Sequence, residues 1–586
     1  MGMCGLAPRS RAAVRFSVTM YLKSTRDWWF APLSCTFTAE PAAGAARVST
    51  GRNGSSNWKD RTHRLALLRQ LVRRTRSVRD VEKTRYAGAP PKPNSRVRLR
   101  PACLVLSFLF FVAAATRVLG AERAKVVSDA PYTQRRPSVS GLKNPGRQMI
   151  CEGNAQLRIC SAEEAAAEIR AKDTMCLGFG PSQPCSLLAA MSQRDDWEEL
   201  TAFGGMLHDV YPVFTNPGVH LLSGFYGPAE RALRNAGHNI SFLPGDFRRL
   251  KLFAERMAAR VMAIAAAPPD ADGYLSLSIA AGATVAEIHR CGSDPDRLLV
   301  VETSPFFPRT LGLLPDHSHR VHVDEVDIMI ETQRKPMELA EVEATDIERA
   351  IAACVRDFVP DGATLQTGIG GIPGAVAGLL AEGPGGDYGI HSEMFTTGLM
   401  RLHKAGKVSN AHKGSHVGYS VATFAMGSAE LYEWLDGQEE LRFLPVEYVN
   451  TPMIIAANRN MRCINGALMV DLAGQVVADT IDGRQHSGIG GHEDFTSGGS
   501  FEADDRSMIC MPATVVVKGE TLSRVRATFS AGTVVTTPRH QLDIVVTEYG
   551  AAEVSGLTVR ARAQALAEVA HPDFRAELHK QAERIG

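Results

Sequence analysis

Residues 363–383 read ATLQTGIGGIPGAVAGLLAEG, and this stretch decides the fold. Its first residues suit a strand, Gly368, Gly370 and Gly371 supply a turn, and the Ala- and Leu-rich remainder suits a helix. Strand, glycine turn and helix in that order form the building unit of a parallel α/β sheet. The turn is not a dinucleotide fingerprint, because Gly-x-Gly-x-x-Gly would need glycine at 373, where Pro373 stands. No Walker-type phosphate loop occurs either. What remains is a helix start bare of side chains, able to offer backbone N–H groups to an anion or a carbonyl. A tight turn needing positive φ accounts for the same glycines equally well.

The same grammar runs through the surrounding chain. SAEEAAAEIRA, from Ser161, opens with a Ser N-cap and a Glu three residues on, a capping box. DTMCLGFG followed by SQPCSLLAAMSQR repeats strand, turn and helix. RVMAIAAAPPDADGYLSL, RLLVVETSP and VDIMIE add continuous apolar strands of the kind covered on both faces. A second round begins with the helix DIERAIAACVRDFV and, beyond the opening stretch, continues through DYGIHSEMF, ALMVDLAGQVVAD, ATVVVKGE, QLDIVVTEYG and one closing helix near RAQALAEVAHPDFRAELHKQAERI. The expectation is an α/β protein with two consecutive open domains, 149–335 and 336–586. GIGG occurs at Gly368–Gly371 and again at Gly488–Gly491, too short a match to establish a repeat.

Residues 1–148 differ in kind. They carry 28 Lys+Arg against 7 Asp+Glu, leaving 37 against 56 in the rest, so the net charge of +2 joins two opposite halves. Segments such as RVSTGRNGSSNWKD and AGAPPKPNSRVRLR bury too little apolar surface to offset ordering, which predicts a mostly disordered extension with one helix near Thr62–Arg79. The apolar run Ala102–Ala115 is short for a spanning helix and starts far from residue 1. Three readings stay open: an early start codon, an organelle-targeting leader, or a membrane anchor. Basic residues without interleaved aromatics argue against a nucleic-acid partner, and no membrane role is expected of the remainder. Eleven cysteines without CxxC or a Cys/His quartet signal neither a disulfide framework nor a zinc site. Reduced thiols fit a cytoplasmic location, or a mitochondrial one if the extension is a leader.

GIHSEMFTTGLM, residues 389–400, isolates Glu393 between His-Ser and Met-Phe, with no basic neighbour nearer than Arg401. At the C-terminal mouth of a parallel strand, pointing opposite to Ser392, such a carboxylate can act as a nucleophile. A buried, salt-bridged glutamate fits the same residues. No Gly-x-Ser-x-Gly elbow occurs, so Ser392 beside His391 makes no serine triad. His403, His412 and His416 read as solvated loop histidines rather than ligands, and no metal is expected.

Six motifs in order, LQTGIGGIPGAV, YGIHSEMF, INGALMVDLAGQV, SGIGGHEDF, DIVVTEYGAAEVSGL and HPDFRAEL, resemble those of the acetyl-CoA hydrolase/transferase family. These are the class I CoA-transferases that include the 4-hydroxybutyrate and succinate:acetate enzymes. APPDADGYLSLS and VVETSPFFPRTLG extend the likeness over Met149–Gly586, and residues 1–148 have no counterpart. The resemblance implies two α/β domains with the active site in the cleft between them. It implies acyl-CoA:carboxylate CoA transfer in which Glu393 forms an acyl-glutamyl anhydride and then a glutamyl-CoA thioester, with acyl-CoA hydrolysis as the alternative.

By the same resemblance, Gly490 and Gly491, with Gly488 of the same turn, lie at the CoA site, and the bare helix start at Gly368, Gly370 and Gly371 is a second candidate for binding CoA or substrate. Asn465 orients or hydrogen-bonds Glu393, Glu548 is a second acid near the site or the anchor of a loop, and Gln183 in GFGPSQP reaches substrate. No cofactor is required, since CoA is itself a substrate. Acyl-CoAs and short carboxylates are the expected partners, with the chain assembled as a homo-oligomer.

Overall fold

Continuous apolar strands assemble into a first sheet of eight, all parallel. The computed structural model describes residues 157–585; the basic extension, its helix near Thr62–Arg79 and the apolar run Ala102–Ala115 lie outside the described residues. The strands are β1 (Arg158–Ile159), β2 (Lys172–Leu177), β3 (Glu199–Gly204), β4 (Val219–Ser223), β5 (Ile240–Phe242), β6 (Val261–Ala266), β7 (Leu298–Thr303) and β8 (Ile328–Glu331). They lie in the order β1-β8-β7-β6-β2-β3-β4-β5. Every residue of β6 is buried, as a central parallel strand with both faces covered requires. Helix α1 (Cys185–Met191) follows β2, and α2 (Phe247–Met257) follows β5. The capping box at Ser161 is formed, with Ser161 Oγ accepting from Glu164 N–H and Glu164 Oε2 accepting from Ser161 N–H.

A second sheet contains β9 (Thr364–Thr367), β10 (Gly389–Ile390), β11 (Met461–Gly466), β12 (Arg506–Cys510), β13 (Ile544–Thr547) and β14 (Gly550–Glu553), ordered β10-β9-β11-β12-β13-β14. All pairs are parallel except β13 with β14. The glycine turn after β9 opens into α3 (Gly371–Glu382), and the second GIGG opens into α4 (His492–Gly498). One apolar cluster includes Met262 and Val301 of the first sheet and Leu365, Met508 and Ile544 of the second, so the two sheets share a core.

Two expectations are corrected. The closing segment is two helices, Val559–Glu568 and Pro572–Ala582, because Pro572 has no N–H to continue the first helix and instead suits the first turn of the next. Of the three histidines read as solvated, only His412 is exposed. His403 sits on the helix Thr397–Lys404 with its ring against Phe395 and Trp434 and its Nε2 2.9 Å from Ser420 Oγ, while His416 pairs with Tyr448 Oη at 3.2 Å.

The edge strand β10 leads directly to Glu393, so its outer face matters. Its inner groups join β9: Gly389 N–H donates to Ala363 and His391 N–H to Leu365. The outward groups of Ile390 are sealed by side chains instead. Ile390 N–H donates to Asn410 Oδ1 at 3.0 Å, and Ile390 C=O accepts from Lys413 Nζ at 2.6 Å. Lys413 also donates to Tyr419 C=O at 2.7 Å, and burial holds its ammonium down to about 7. Asn410 is buried at φ +54°, a conformation asparagine tolerates better than alanine. Asn410→Ala is expected to cost about 2–3 kcal/mol, from an orphaned N–H and backbone strain, read as a lowered urea midpoint with an unchanged m-value.

Candidate active site

Glu393 emerges three residues beyond β10, where the chain leaves the sheet and pairs Met394–Phe395 with Phe424–Ala425. Its backbone carbonyl accepts from Thr423 N–H (2.9 Å) and Phe424 N–H (3.2 Å), which fixes the strand end. Ser392 turns the other way, its hydroxyl donating to Met394 C=O at 2.8 Å and to Thr367 C=O at 3.2 Å. His391 is fully buried, with Nε2 2.8 Å from Val449 O, and burial holds it down to about 3. Neither residue faces the Glu393 carboxyl.

That carboxyl opens into a cleft of about 310 Å³. Phe179, Gly180 and Pro181 of the first sheet's side line it, as do Phe225 and Phe247, facing Gly368, Asn465 and the turn Gly488–Gly491 of the second. Asn450 Nδ2 donates to Glu393 Oε2 at 2.5 Å and reaches Asp494 Oδ2 at 3.3 Å. Asp494 also accepts from Arg248 Nε at 2.5 Å, so a line of contacts runs from α2 through α4 to Glu393. Burial pushes Glu393 up to about 8, Asn450 opposes that by bonding the charged form, and Asp494 adds to it. Asp494 is itself pushed up to about 7 by burial, against the pull of Arg248. The two acids share one bridging amide, so their protons belong to the pair.

The second glycine turn lies against this carboxyl. A Cβ on Gly491 would stand 2.1 Å from Glu393 Oε2 and 2.6 Å from Asn450 Nδ2. Gly490 has φ +58°, and its carbonyl accepts from Phe247 N–H at 2.9 Å, tying the turn to α2. A Cβ on Gly488 would stand 2.4 Å from the Phe225 ring. Of the first turn, Gly368 lines the cleft, whereas Gly370 is exposed at φ +114° and Gly371 packs beside the Glu348 carboxylate.

Two residues stand elsewhere than the resemblance implied, and a third takes the second of its two readings. The amide that donates to Glu393 is Asn450's; Asn465 lines the same cleft, but its Oδ1 accepts from Gln366 Nε2 at 3.2 Å. Glu548 does not line the cleft and its Oε2 accepts Ala513 N–H at 2.8 Å, a loop anchor; Asp494 is the acid beside Glu393. Gln183 is buried and does not line the cleft, donating both N–H groups to the Gly205 and Met206 carbonyls and accepting from His208 N–H, which leaves it no donor for a substrate. Sequence reasoning missed Asn450, Asp494 and Arg248. Asn450 follows the four-residue helix Val446–Val449 as its C-cap, and Asp494 is a first-turn acid, so each has an ordinary local explanation.

Comparison with known proteins gives concordant matches. The description "Acetyl-CoA hydrolase/transferase C-terminal domain" matches residues 427–582. Succinyl-CoA:cyclohexane-1-carboxylate CoA transferase of Geobacter metallireducens is 32% identical over 451 residues, 76% of this chain and 99% of that one. 4-Hydroxybutyrate coenzyme A transferase of Clostridium kluyveri is 34% identical over 433 residues, covering 72% and 96%. The crystal structure of RipA from Yersinia pestis superposes with a TM-score of 0.66 at 31% identity, over 73% of this chain and 97% of that one.

The raised Glu393 carboxyl fixes a sign for stability. The folded state keeps a proton that the unfolded chain gives up near the ordinary value of 4.5, so native stability falls as pH rises from there through about 8. Glu393→Gln removes this loss. The variant is expected to match the parent near pH 4.5 and to exceed it at pH 8 by about 4 kcal/mol, measured by urea denaturation at both pH values.

Proposed function

The chain belongs to the acetyl-CoA hydrolase/transferase family and is a CoA-transferase, and from that premise we propose that it exchanges CoA between a short-chain acyl-CoA and a carboxylate through Glu393. The observation that carries the reading is the pairing of a half-buried carboxyl with a side-chain-free turn, Gly490–Gly491, pressed against it. Glu393 Oε attacks the thioester carbonyl carbon; a C–O bond forms, the C–S bond breaks, and CoA thiolate leaves an acyl-glutamyl anhydride. The thiolate then attacks the glutamyl carbonyl, expelling the first carboxylate and leaving glutamyl-CoA. A second carboxylate reverses both steps and departs as the new acyl-CoA.

Each attack places negative charge on a carbonyl oxygen. The N–H groups of Gly490 and Gly491 make no backbone hydrogen bond among the described residues, so they are available to that oxygen. Asn450 holds Glu393 in place during the exchange, and the apolar lining of the cleft disfavours water as a competing acceptor. CoA is a substrate in this scheme, and the glutamate supplies the covalent chemistry.

The test mixes the protein with butyryl-CoA, with and without acetate, and follows acetyl-CoA, butyrate and free CoA by mass spectrometry. Acetyl-CoA formed only with acetate, together with a borohydride-reducible adduct on the Glu393 peptide, is the expected result. Free CoA released equally fast without acetate makes the enzyme a hydrolase. Glu393→Ala is expected to lose at least ~10⁴-fold in rate, and undiminished exchange in that variant refutes the nucleophile. Gly491→Ala is expected to lose ~10²-fold or more, because the new methyl occupies the space of the carboxylate. With Glu393 titrating near 8, the rate of adduct formation rises with pH toward that value.

A further inference from the structure

We infer that the acyl pocket of this cleft takes short apolar monocarboxylates and rejects dicarboxylates; the inference deepens the reading of Glu393 as nucleophile and rests on it. Two sides of the cleft differ in what they offer. On one, Phe225 packs on the glycine turn, with its ring 2.4 Å from where a Cβ of Gly488 would stand. That side holds the backbone N–H groups and therefore takes the thioester oxygen and sulfur. On the other, Phe424 donates its backbone N–H to the Glu393 backbone C=O, which fixes its main chain beside that of Glu393, and both residues line the cleft. The Phe424 ring meets Phe247 at 5.9 Å, and Phe247 meets Phe179 at 6.0 Å, so three aromatic rings make one continuous wall. The acyl chain has this wall to extend along, with Met394 and Met206 beside it.

Charge decides what the chain can carry. Among the described residues that line the cleft there is no lysine or arginine. Arg248, which connects to Glu393 only through Asp494 and Asn450, already faces Asp494 at 2.5 Å and Asp246 at 3.2 Å. A distal carboxylate would be desolvated against aromatic faces, whose quadrupole is negative, close to two acids and with no counterion. Each added methylene, by contrast, trades water for the aromatic wall. Polar acceptors short of a charge are tolerated at one point, since Asn465 Nδ2 lies buried in the structure without a partner.

The expected consequence is a selectivity that follows apolar area. With acetate as acceptor and acetyl-CoA as the product read, kcat/KM rises about fourfold for each methylene from propionyl-CoA to butyryl-CoA to valeryl-CoA. Succinyl-CoA falls at least ~100-fold below butyryl-CoA. Succinyl-CoA within tenfold of butyryl-CoA overturns the inference. Phe424→Arg places a guanidinium on the wall and is expected to move the succinyl-to-butyryl ratio by at least ~10-fold toward succinyl; an unmoved ratio overturns the placement of the pocket. Calorimetric titration of the folded protein with butyrate and with succinate, in the presence of CoA, reads the same cleft without turnover. Butyrate binding at least ~10-fold tighter supports the pocket, and equal or reversed affinities overturn it. Butyrate-selective binding alongside no turnover of any thioester counts against the Glu393 chemistry and leaves the pocket standing, so the two failures are distinguishable.

Discussion

One neutral amide stands between the half-buried Glu393 carboxyl and the buried one of Asp494, and the site depends on it. Asn450 Nδ2 touches both Glu393 and Asp494, residues 57 and 44 positions away along the chain. Two carboxylates facing each other in a buried place repel, and burial penalises each charge separately. An arginine or lysine at 450 would settle the charge but would hold Glu393 as an ion pair, with its carboxylate stabilised and its nucleophilicity reduced. An amide supplies one charge-assisted hydrogen bond and no charge, so Glu393 stays oriented while its proton affinity stays high. Arg248 is kept on the far side, against Asp494. The shared core beneath the two sheets serves this spacing, because α2, α4, the helix before Asn450 and the end of β10 must all meet at one point.

The two GIGG turns show how little four letters determine. Both place their second glycine at positive φ, Gly370 at +114° and Gly490 at +58°, and both open into a helix. At Gly370 a Cβ would meet nothing within 4 Å, so only the backbone angle asks for glycine there. At Gly488 and Gly491 a Cβ would collide with Phe225 and with Glu393. Both turns combine a backbone demand with a close approach, the first against Glu348 at Gly371 and the second against Phe225 and Glu393. Only the second bears on the Glu393 carboxyl.

What was legible in the sequence was what is encoded locally. The Ser161 capping box, the apolar β6 and β7, and the strand, turn and helix at 363–383 depend on neighbours within a few residues, and each is found where its pattern stands. Glu393 was singled out by the six-motif resemblance, since a lone acid beside Met-Phe reads equally as a buried, salt-bridged glutamate. The residues that surround it were not. Asn450 and Asp494 have sound local roles as a C-cap and a first-turn acid, and their second use appears only when distant segments meet. Gln183 was misread for the converse reason, and Glu548 takes the loop-anchor reading that its sequence left open. Each is polar and close to a motif, yet each closes back on backbone, Gln183 on Gly205, Met206 and His208, and Glu548 on Ala513. No periodicity distinguishes a side chain that satisfies a nearby carbonyl or N–H from one that faces a cleft.

A raised proton affinity at Glu393 also bears on the direction of the exchange. The acyl-glutamyl anhydride proposed for this site has two carbonyls, and CoA thiolate can attack either. Attack at the substrate's carbonyl expels Glu393 and returns the starting thioester. Attack at the glutamyl carbonyl expels the substrate's carboxylate and moves the reaction forward. The carboxylate with the lower proton affinity leaves more readily. Burial and Asp494 push Glu393 up to about 8, while an ordinary aliphatic acid titrates near the unperturbed carboxylate range of about 4. The better leaving group is therefore the substrate's carboxylate, and forward partition is favoured without any new contact. In the proposed exchange, the same burial that costs stability on folding thus also directs the anhydride.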